Sequence, residues 1–230
     1  MAHPPIALTR NDLFKDLPAS ALERLVVEVT PRSLSSGEEL FRRGESADRL
    51  YLVDSGALKL ARYALSGREA IISVARAGDS LLEYEVVSGG TFPLTAVAIE
   101  ECRVSGLPAG PLRELYEQDP AFCRSVAVRL AARVQQLTDR VDDLVLRDVT
   151  QRVARYLITE VGLCGRGAGG QARVVLQERN MVIAGILGTV PELVSRALAR
   201  LHRSGVIRLY GRQVTIPSIE ELRAVAAGEK

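Results

Sequence analysis

A narrow apolar stripe in the second half of the chain most constrains its fold. Between residues 127 and 144, apolar side chains recur every third or fourth position, as at positions a and d of a coiled-coil heptad. Because so narrow a stripe suits another helix better than a sheet, we expect a parallel homodimer through this helix. The alternative is that the stripe packs on the chain's own amino-terminal domain. The predicted dimerisation residues are Ala127, Leu130, Val134, Leu137, Val141 and Leu144.

The sequence before this stripe predicts an all-β domain. From about residue 20 to residue 107, short apolar runs alternate with glycines, which supply the positive φ that tight turns require. Regular short strands separated by such turns are typical of a β-sandwich or a barrel-like roll. The runs are 50–53, 57–61, 70–74 and 95–99, and the glycines are Gly44, Gly56, Gly67 and Gly78, at intervals of 11 or 12 residues.

The charge of the chain is divided unevenly. Residues 1–149 carry a net charge of −4 and residues 150–230 a net charge of +6, so we expect only the carboxyl-terminal part to meet a polyanion. Asp148 is the predicted N-cap of a helix over about 149–163. The glycine-rich segment 164–170 lacks the Gly-Lys-Ser/Thr sequence of a phosphate-binding loop and is interpreted as a linker.

Residues 180–199 have the pattern of a helix-turn-helix. Ala184 is the small residue where two helices cross, Gly188 is the turn residue, and Pro191 begins the second helix, where its missing N–H costs nothing. The alternative is an ordinary pair of antiparallel helices. A predicted hairpin (206–210 and 213–216) and a last helix from Ser218 follow, as in a winged variant. The buried set is Ile183, Leu187, Val194 and Ala197.

One exposed face of the second helix carries side chains that suit DNA. Glu192, Ser195 and Arg196 are spaced i, i+3 and i+4. Glu192 can accept a hydrogen bond from cytosine N4, and Arg196 can donate two hydrogen bonds to guanine O6 and N7. Ser195 can pair with a donor or with an acceptor. The alternative for Glu192 and Arg196 is a surface ion pair. The other predicted DNA-binding residues are Thr189 and Pro191 at the helix start, with Arg200, Arg203 and the wing residue Arg212 for phosphates.

Other classes of protein fit the sequence poorly. Three cysteines without CxxC spacing argue against a disulfide framework or a zinc site, and no apolar run reaches the length of a membrane span. The start of the chain lacks a signal-peptide pattern, so we expect a cytoplasmic protein. A metal-dependent enzyme built on a β-roll needs clustered histidines, and neither His3 nor His202 falls in the β-region, so we do not expect an enzyme.

The order of these segments resembles the CRP/FNR family, named for the cyclic-AMP receptor protein and the fumarate and nitrate reduction regulator. The resemblance includes the four glycines and the runs DVTQRVA (148–154) and LGTVPELVSR (187–196). It implies an α+β fold with a β-roll (double-stranded β-helix or jelly roll; 1–115), a dimerisation helix (116–147) and a winged helix-turn-helix (148–230). It also implies a homodimeric transcription regulator with RNA polymerase as a partner. The E-x-x-S-R pattern is nearer the FNR branch, which implies a TTGA-type palindrome on double-stranded DNA.

Departures from the family pattern indicate which effectors this chain is not expected to bind. The family's cyclic-AMP readers have an arginine where this chain has Leu94, and Asp139 beside Thr138 would repel a phosphate, so cyclic AMP is not expected. No cysteine precedes Cys102, so a four-cysteine iron–sulfur cluster is not expected. We therefore expect gating by another small-molecule or gas signal, at the junction of the β-roll and the dimerisation helix. The alternatives are a haem-based nitric oxide or redox sensor and a constitutive regulator. Cys102 and Cys123 are interpreted as buried structural thiols, with a redox switch as the alternative. Effector-pocket candidates are Leu82, Glu83, Tyr84, Leu94, Thr95 and Thr138.

Overall fold

The structure is a computed structural model, and it divides into two compact units. Unit 1 comprises residues 1–136 and unit 2 residues 137–230, and each is described by itself. The described residues are 11, 13–15, 17, 19–26, 28–64, 69–164 and 171–229. His3, Gly67 and residues 165–170 of the predicted linker lie outside them.

Unit 1 contains two four-stranded antiparallel sheets. One has the order β1-β8-β3-β6 and the other β2-β7-β4-β5. The four strands expected from the apolar runs are confirmed, with bounds one to three residues wider or narrower than the runs. The strands are β1 (Thr30–Leu34), β2 (Glu39–Phe41), β3 (Arg49–Ser55), β4 (Ala57–Tyr63), β5 (Glu69–Arg76), β6 (Ser80–Leu81), β7 (Thr95–Ala98) and β8 (Cys102–Pro108).

The apolar side chains of the two sheets form a single core. Leu50 and Leu52 on β3 are buried, as are Leu58 and Leu60 on β4, because alternate residues of a strand point to the same face. The predicted turn glycines at 44, 56 and 78 all have positive φ. At Gly56 glycine is also required for space, since a Cβ would overlap the backbone of Glu101. The β-roll prediction is therefore confirmed.

The helical region after β8 differs from the predicted helix over 116–147. It contains α3 (Ala109–Gln118) and α4 (Pro120–Leu146), separated at Asp119. Two shorter helices, α1 (Ala19–Val26) and α2 (Glu83–Ser88), come earlier in unit 1. The Asp119 carboxylate accepts hydrogen bonds from the amides of Ala121 and Phe122, over 2.8 and 3.1 Å, and so caps α4. The long helix thus starts at Pro120 rather than at 116, and its first buried residues, Phe122 and Val126, belong to the β-roll core.

Unit 2 contains the end of α4 and a compact α+β domain. Asp148 caps α5 as predicted, through reciprocal hydrogen bonds of 2.8 and 2.9 Å with Gln151. The helix continues to Cys164, one residue beyond the predicted end at about residue 163. The remaining elements match the predicted order. They are α5 (Val149–Cys164), β9 (Ala172–Val175), α6 (Asn180–Ile186), α7 (Pro191–Arg203), β10 (Arg208–Tyr210), β11 (Gln213–Ile216) and α8 (Ile219–Ala227), with a sheet of order β10-β11-β9.

Candidate nucleic-acid interface

The helices α6 and α7 meet in the geometry of a helix-turn-helix. Their axes are bent by 97°, within the range of about 90–120° that this motif adopts. Ala184 is fully buried where the helices cross, and Gly188 in the turn has a φ of +62°. The amide of Thr189 donates to the Ala184 carbonyl over 2.9 Å and closes the turn. The predicted helix pair and its turn are therefore confirmed.

The second helix separates its buried and exposed residues as the sequence predicts. Val194 and Ala197 are buried in the core of unit 2, together with Leu198 and Leu201. The predicted reading residues Glu192, Ser195 and Arg196 are exposed, and Arg200 and Arg203 are exposed further along α7; Thr189 and Pro191 are partly buried at its start. The structure thus brings the helix residues together on one solvent-facing surface, which we call the α7 face.

The wing residue Arg212 makes contacts that the sequence did not predict. Its Nε donates to the Leu176 carbonyl over 2.7 Å, and its Nη2 donates to the Gln177 carbonyl. These bonds join the β10–β11 turn to the loop before α6, so part of the guanidinium serves the fold. Tyr210, at the same turn, is 73% exposed.

Two further polar contacts of unit 2 had no sequence signal. The Tyr156 hydroxyl donates to the Glu178 carboxylate over 2.7 Å, and Glu178 is only 5% exposed. Such burial of a carboxylate is tolerated only with partners. The Asn180 amide donates to the Ser195 hydroxyl over 2.9 Å, which places a residue of α6 against the α7 face. Both pairs are distant in sequence, so only the fold reveals them.

Three residues from α4 and α5 support the turn of the helix-turn-helix. Arg140 donates to the Gly185 carbonyl over 3.3 Å, and Arg152 donates to the Leu187 carbonyl over 2.6 Å. These carbonyls lie at the carboxyl-terminal end of α6, where the Gly185 carbonyl also accepts from the Gly188 amide over 3.3 Å. Leu144 lies so close to Gly188 that a Cβ there would be 2.6 Å from its Cδ2. Leu144, predicted as a dimerisation residue, therefore also contacts the turn of its own chain.

The apolar stripe of α4 is exposed in the single chain. Val134 is 63% exposed and Leu137 is 41% exposed, and Leu130, Val141 and Leu144 are similar. Ala127, the first residue of the stripe, is also exposed. Exposed apolar surface of this extent on one helix is a mark of an interaction site. The dimerisation role of the stripe stays a prediction, as does the alternative that it packs on the chain's own amino-terminal domain.

The effector-pocket candidates have unlike surroundings. Leu94 and Thr95 are buried in unit 1, and the Thr95 hydroxyl accepts from the Arg43 amide over 3.1 Å. Leu82 has a φ of +55°, a left-handed conformation that is uncommon outside glycine. Glu83 forms an ion pair of 2.7 Å with Arg129 of α4.

Tyr84 is exposed beside these residues, and Thr138 is an exposed residue of unit 2. Within unit 1 the structure therefore groups Leu82 and Glu83 at the start of α2, with Tyr84 next to them in the chain. Arg129, which holds Glu83, was not among the candidates, because its spacing along α4 gave no sign of this partner.

The cysteines differ from each other in burial. Cys102 lies in the β-roll core as predicted, and burial, with the charges of Glu100 and Asp54, raises the pKa of its thiol to about 11. Cys123 is only partly buried, so its interpretation as a buried thiol is wrong. The residue belongs to the first turn of α4, where a neighbouring position, Phe122, takes the core-facing place.

The described part of the chain contains no group of three or more His, Cys, Asp or Glu side chains placed to hold a metal ion. His202, in the last turn of α7, has its Nδ1 3.4 Å from the Ile207 carbonyl oxygen and 3.3 Å from the Leu209 amide. In the same described residues no single helix is long and apolar enough to span a membrane. Helices α6 and α7 reach the length and apolar composition of a span only when they are taken together, and they are sharply bent relative to each other.

Comparisons with known proteins agree with both units. Residues 31–119 match the model of the cyclic nucleotide-binding domain, and residues 151–225 match that of the Crp-like helix-turn-helix domain. The chain is 31% identical over 215 residues to a CRP-like cAMP-activated global transcriptional regulator of Mycobacterium tuberculosis, covering 94% of this chain and 96% of the relative. The chain belongs to the CRP/FNR family of transcription regulators.

Other CRP/FNR proteins are similar over nearly the same extent. The transcriptional activator protein Anr of Pseudomonas aeruginosa is 29% identical, covering 98% of this chain and 88% of the relative. The solved structure of FixK2 from Bradyrhizobium japonicum has a TM-score of 0.76 at 25% identity, covering 86% of this chain and 96% of that one. The predicted family and its order of β-roll, long helix and helix-turn-helix are thus confirmed, and the chain is a DNA-binding transcription regulator.

Proposed function

We propose that this CRP/FNR regulator binds a TTGA-type palindrome as a homodimer and reads each half-site with α7. The observation that carries the proposal is the α7 face, where Glu192, Ser195 and Arg196 are exposed above a fully buried opposite side of the helix. Arg196 would clamp guanine O6 and N7, and Glu192 would accept from cytosine N4. Arg200 and Arg203 would contact phosphates, which position the helix without specifying sequence.

The exposed stripe of α4 supports the homodimer. Burying its apolar side chains against the same stripe of a second copy removes them from water, which is the driving force of a parallel coiled coil. A two-fold dimer presents two α7 helices, so its site is a palindrome with half-site centres about one helical turn apart, roughly 34–36 Å. RNA polymerase is the further partner proposed for the bound dimer, as the family resemblance implies.

The β-roll is proposed to receive a small-molecule or gas signal other than cyclic AMP. Leu94 offers no charge to a cyclic phosphate, and it is packed in the core. Glu83 is already paired with Arg129, whose α4 carries the proposed dimer interface further along. A ligand that breaks or strengthens the Glu83–Arg129 ion pair would bind two conformations of α4 with different affinities. Such a difference in affinity is what allows a ligand to shift a protein from one conformation to the other. The cyclic-AMP activation named for the Mycobacterium tuberculosis relative is thus not proposed for this chain.

Selection of bound duplexes from a random pool tests the DNA-reading proposal. We expect enrichment of a TTGA-type palindrome by the wild type and loss of the preference at one guanine in Arg196→Ala, at a cost of about 1–3 kcal/mol. Arg223→Ala is the matched control, because Arg223 is an exposed arginine on α8, away from the α7 face. Unchanged enrichment in Arg196→Ala, or an equal change in Arg223→Ala, would refute the assignment.

Three separate measurements test which signal, if any, the β-roll receives. Calorimetric titration of the purified dimer with cyclic AMP is expected to give no heat of binding, and saturable binding would contradict the role assigned to Leu94. An absorption spectrum of protein purified without oxygen tests the haem-based nitric oxide or redox sensor, since a Soret band would establish it. A regulator whose DNA affinity is unchanged by cell extract fractions would be constitutive.

A further inference from the structure

Ser195 on the α7 face receives a hydrogen bond from the other helix of the motif. Asn180, the first residue of α6, donates from Nδ2 to Ser195 Oγ over 2.9 Å. Among the described residues, the Asn180 side chain has no other hydrogen-bond partner, and the residue preceding it makes no side-chain cap for α6. The amide is therefore committed to the serine rather than to the end of its own helix.

The direction of this bond limits what Ser195 can offer to DNA. A serine hydroxyl has one proton to donate and two lone pairs to accept with, so an isolated serine reads donors and acceptors alike. Asn180 fills one lone pair from within the protein, which leaves Ser195 with its proton and one lone pair. Because linked hydrogen bonds polarise one another, the bond from Asn180 also makes the serine proton a stronger donor. Serines in helices often donate their proton to the carbonyl four residues earlier, as Ser125 does to Ala121 over 3.1 Å. No such bond is found for Ser195 in the described part of the chain, so its proton is available to a ligand.

We propose that Asn180 is a specificity-determining residue, which biases Ser195 toward donating its proton to a keto oxygen in the major groove, either guanine O6 or thymine O4. The inference rests on the proposed function, because it requires Ser195 to face base edges. A base with an amino group at the same place, adenine N6 or cytosine N4, would have to use the one lone pair that Asn180 leaves, with the serine proton turned away. Asn180 thus disfavours two of the four bases without touching DNA.

The Asn180→Asp substitution tests the direction of the bond. A carboxylate only accepts, so the serine proton turns toward it and a lone pair is left facing the DNA. Gln177→Glu is the matched control, since it makes the same change of charge at an exposed residue of the loop just before α6. Affinities are measured for four duplexes that differ at the base pair read by Ser195, which is the pair where Ser195→Ala loses its preference.

We expect the wild type to favour keto over amino bases by about threefold to tenfold, the worth of one neutral hydrogen bond. Asn180→Asp is expected to favour amino bases instead, and Gln177→Glu to bind all four duplexes more weakly while keeping the keto preference. Asn180→Ala removes the hydrogen bond without reversing it, so it should reduce the preference for keto bases. This second variant keeps the test decisive if Asn180→Asp melts at a lower temperature than the wild type.

Three results would overturn the proposal. Asn180→Asp and Asn180→Ala could both keep the keto preference, or both weaken binding evenly as Gln177→Glu does. They could also shift the preference in a Ser195→Ala background, where no hydroxyl remains to be positioned. Failure of the proposed function looks different, because the wild type would then bind all duplexes alike and Arg196→Ala would have no effect.

Discussion

Replacing Gly188 by alanine tests the contact between the turn of the helix-turn-helix and the end of α4. The turn holds Gly188 at a φ of +62°, where an L-residue costs about 1–2 kcal/mol. The new Cβ would also lie 2.6 Å from Leu144 Cδ2, so the leucine must leave its rotamer at a further cost of about 0.5–1.5 kcal/mol. A total of about 1.5–3.5 kcal/mol corresponds to a fall in Tm of about 3–14 °C for a chain of this size.

The two parts of this cost can be separated. Gly205→Ala is the matched control, because Gly205 has a φ of +78° and nothing within 4 Å of its Cβ position, so it carries the backbone cost alone. In a Leu144→Ala background the overlap at Gly188 disappears, and Gly188→Ala should then cost no more than Gly205→Ala. Thermal denaturation at one fixed protein concentration measures both. Equal losses for Gly188→Ala with and without Leu144 would refute the contact.

Three other perturbations have expected outcomes. Leu137→Glu places like charges in the apolar stripe and should give a monomer by sedimentation, whereas Gln136→Glu, off the stripe, should not; a dimeric Leu137→Glu would rule out the coiled coil. Cys123 should react with a thiol reagent in the native protein while Cys102 does not, because burial raises the pKa of Cys102 to about 11 and leaves little thiolate; equal labelling by mass spectrometry would contradict this. Tyr156→Phe removes a donor from the buried Glu178 carboxylate and should cost about 1–3 kcal/mol, so an unchanged Tm would show that the bond contributes nothing.

The elements of this chain could be predicted largely because their signals are local. The turn glycines at 44, 56 and 78 need positive φ, and Asp148 and Ser218 cap their helices through residues only three positions away. Ala184 and Gly188 fixed the register of the helix-turn-helix for the same reason. The start of the long helix was misplaced because Asp119 and Pro120 end one helix and begin another without interrupting the apolar period.

The contacts that tune the candidate site could not be predicted, since they join residues far apart in sequence. Nothing near Asn180 indicates that its amide points at Ser195, and nothing near Arg212 indicates that it bonds the loop before α6. Leu144 fits the heptad stripe so well that its second role against Gly188 was invisible. Periodicity identifies which face of a helix is apolar, but it does not say which atoms that face will meet.

The affinity for a half-site in which 7-deazaguanine replaces the guanine assigned to Arg196 tests the central claim most directly. This base lacks the N7 acceptor and keeps O6, so it removes one of the two hydrogen bonds of a bidentate arginine. The account predicts that the wild type loses about threefold to tenfold in affinity, while Arg196→Ala loses nothing more on the altered duplex. An equal loss in the two proteins, or no loss in the wild type, would contradict the claim that Arg196 on α7 reads this base.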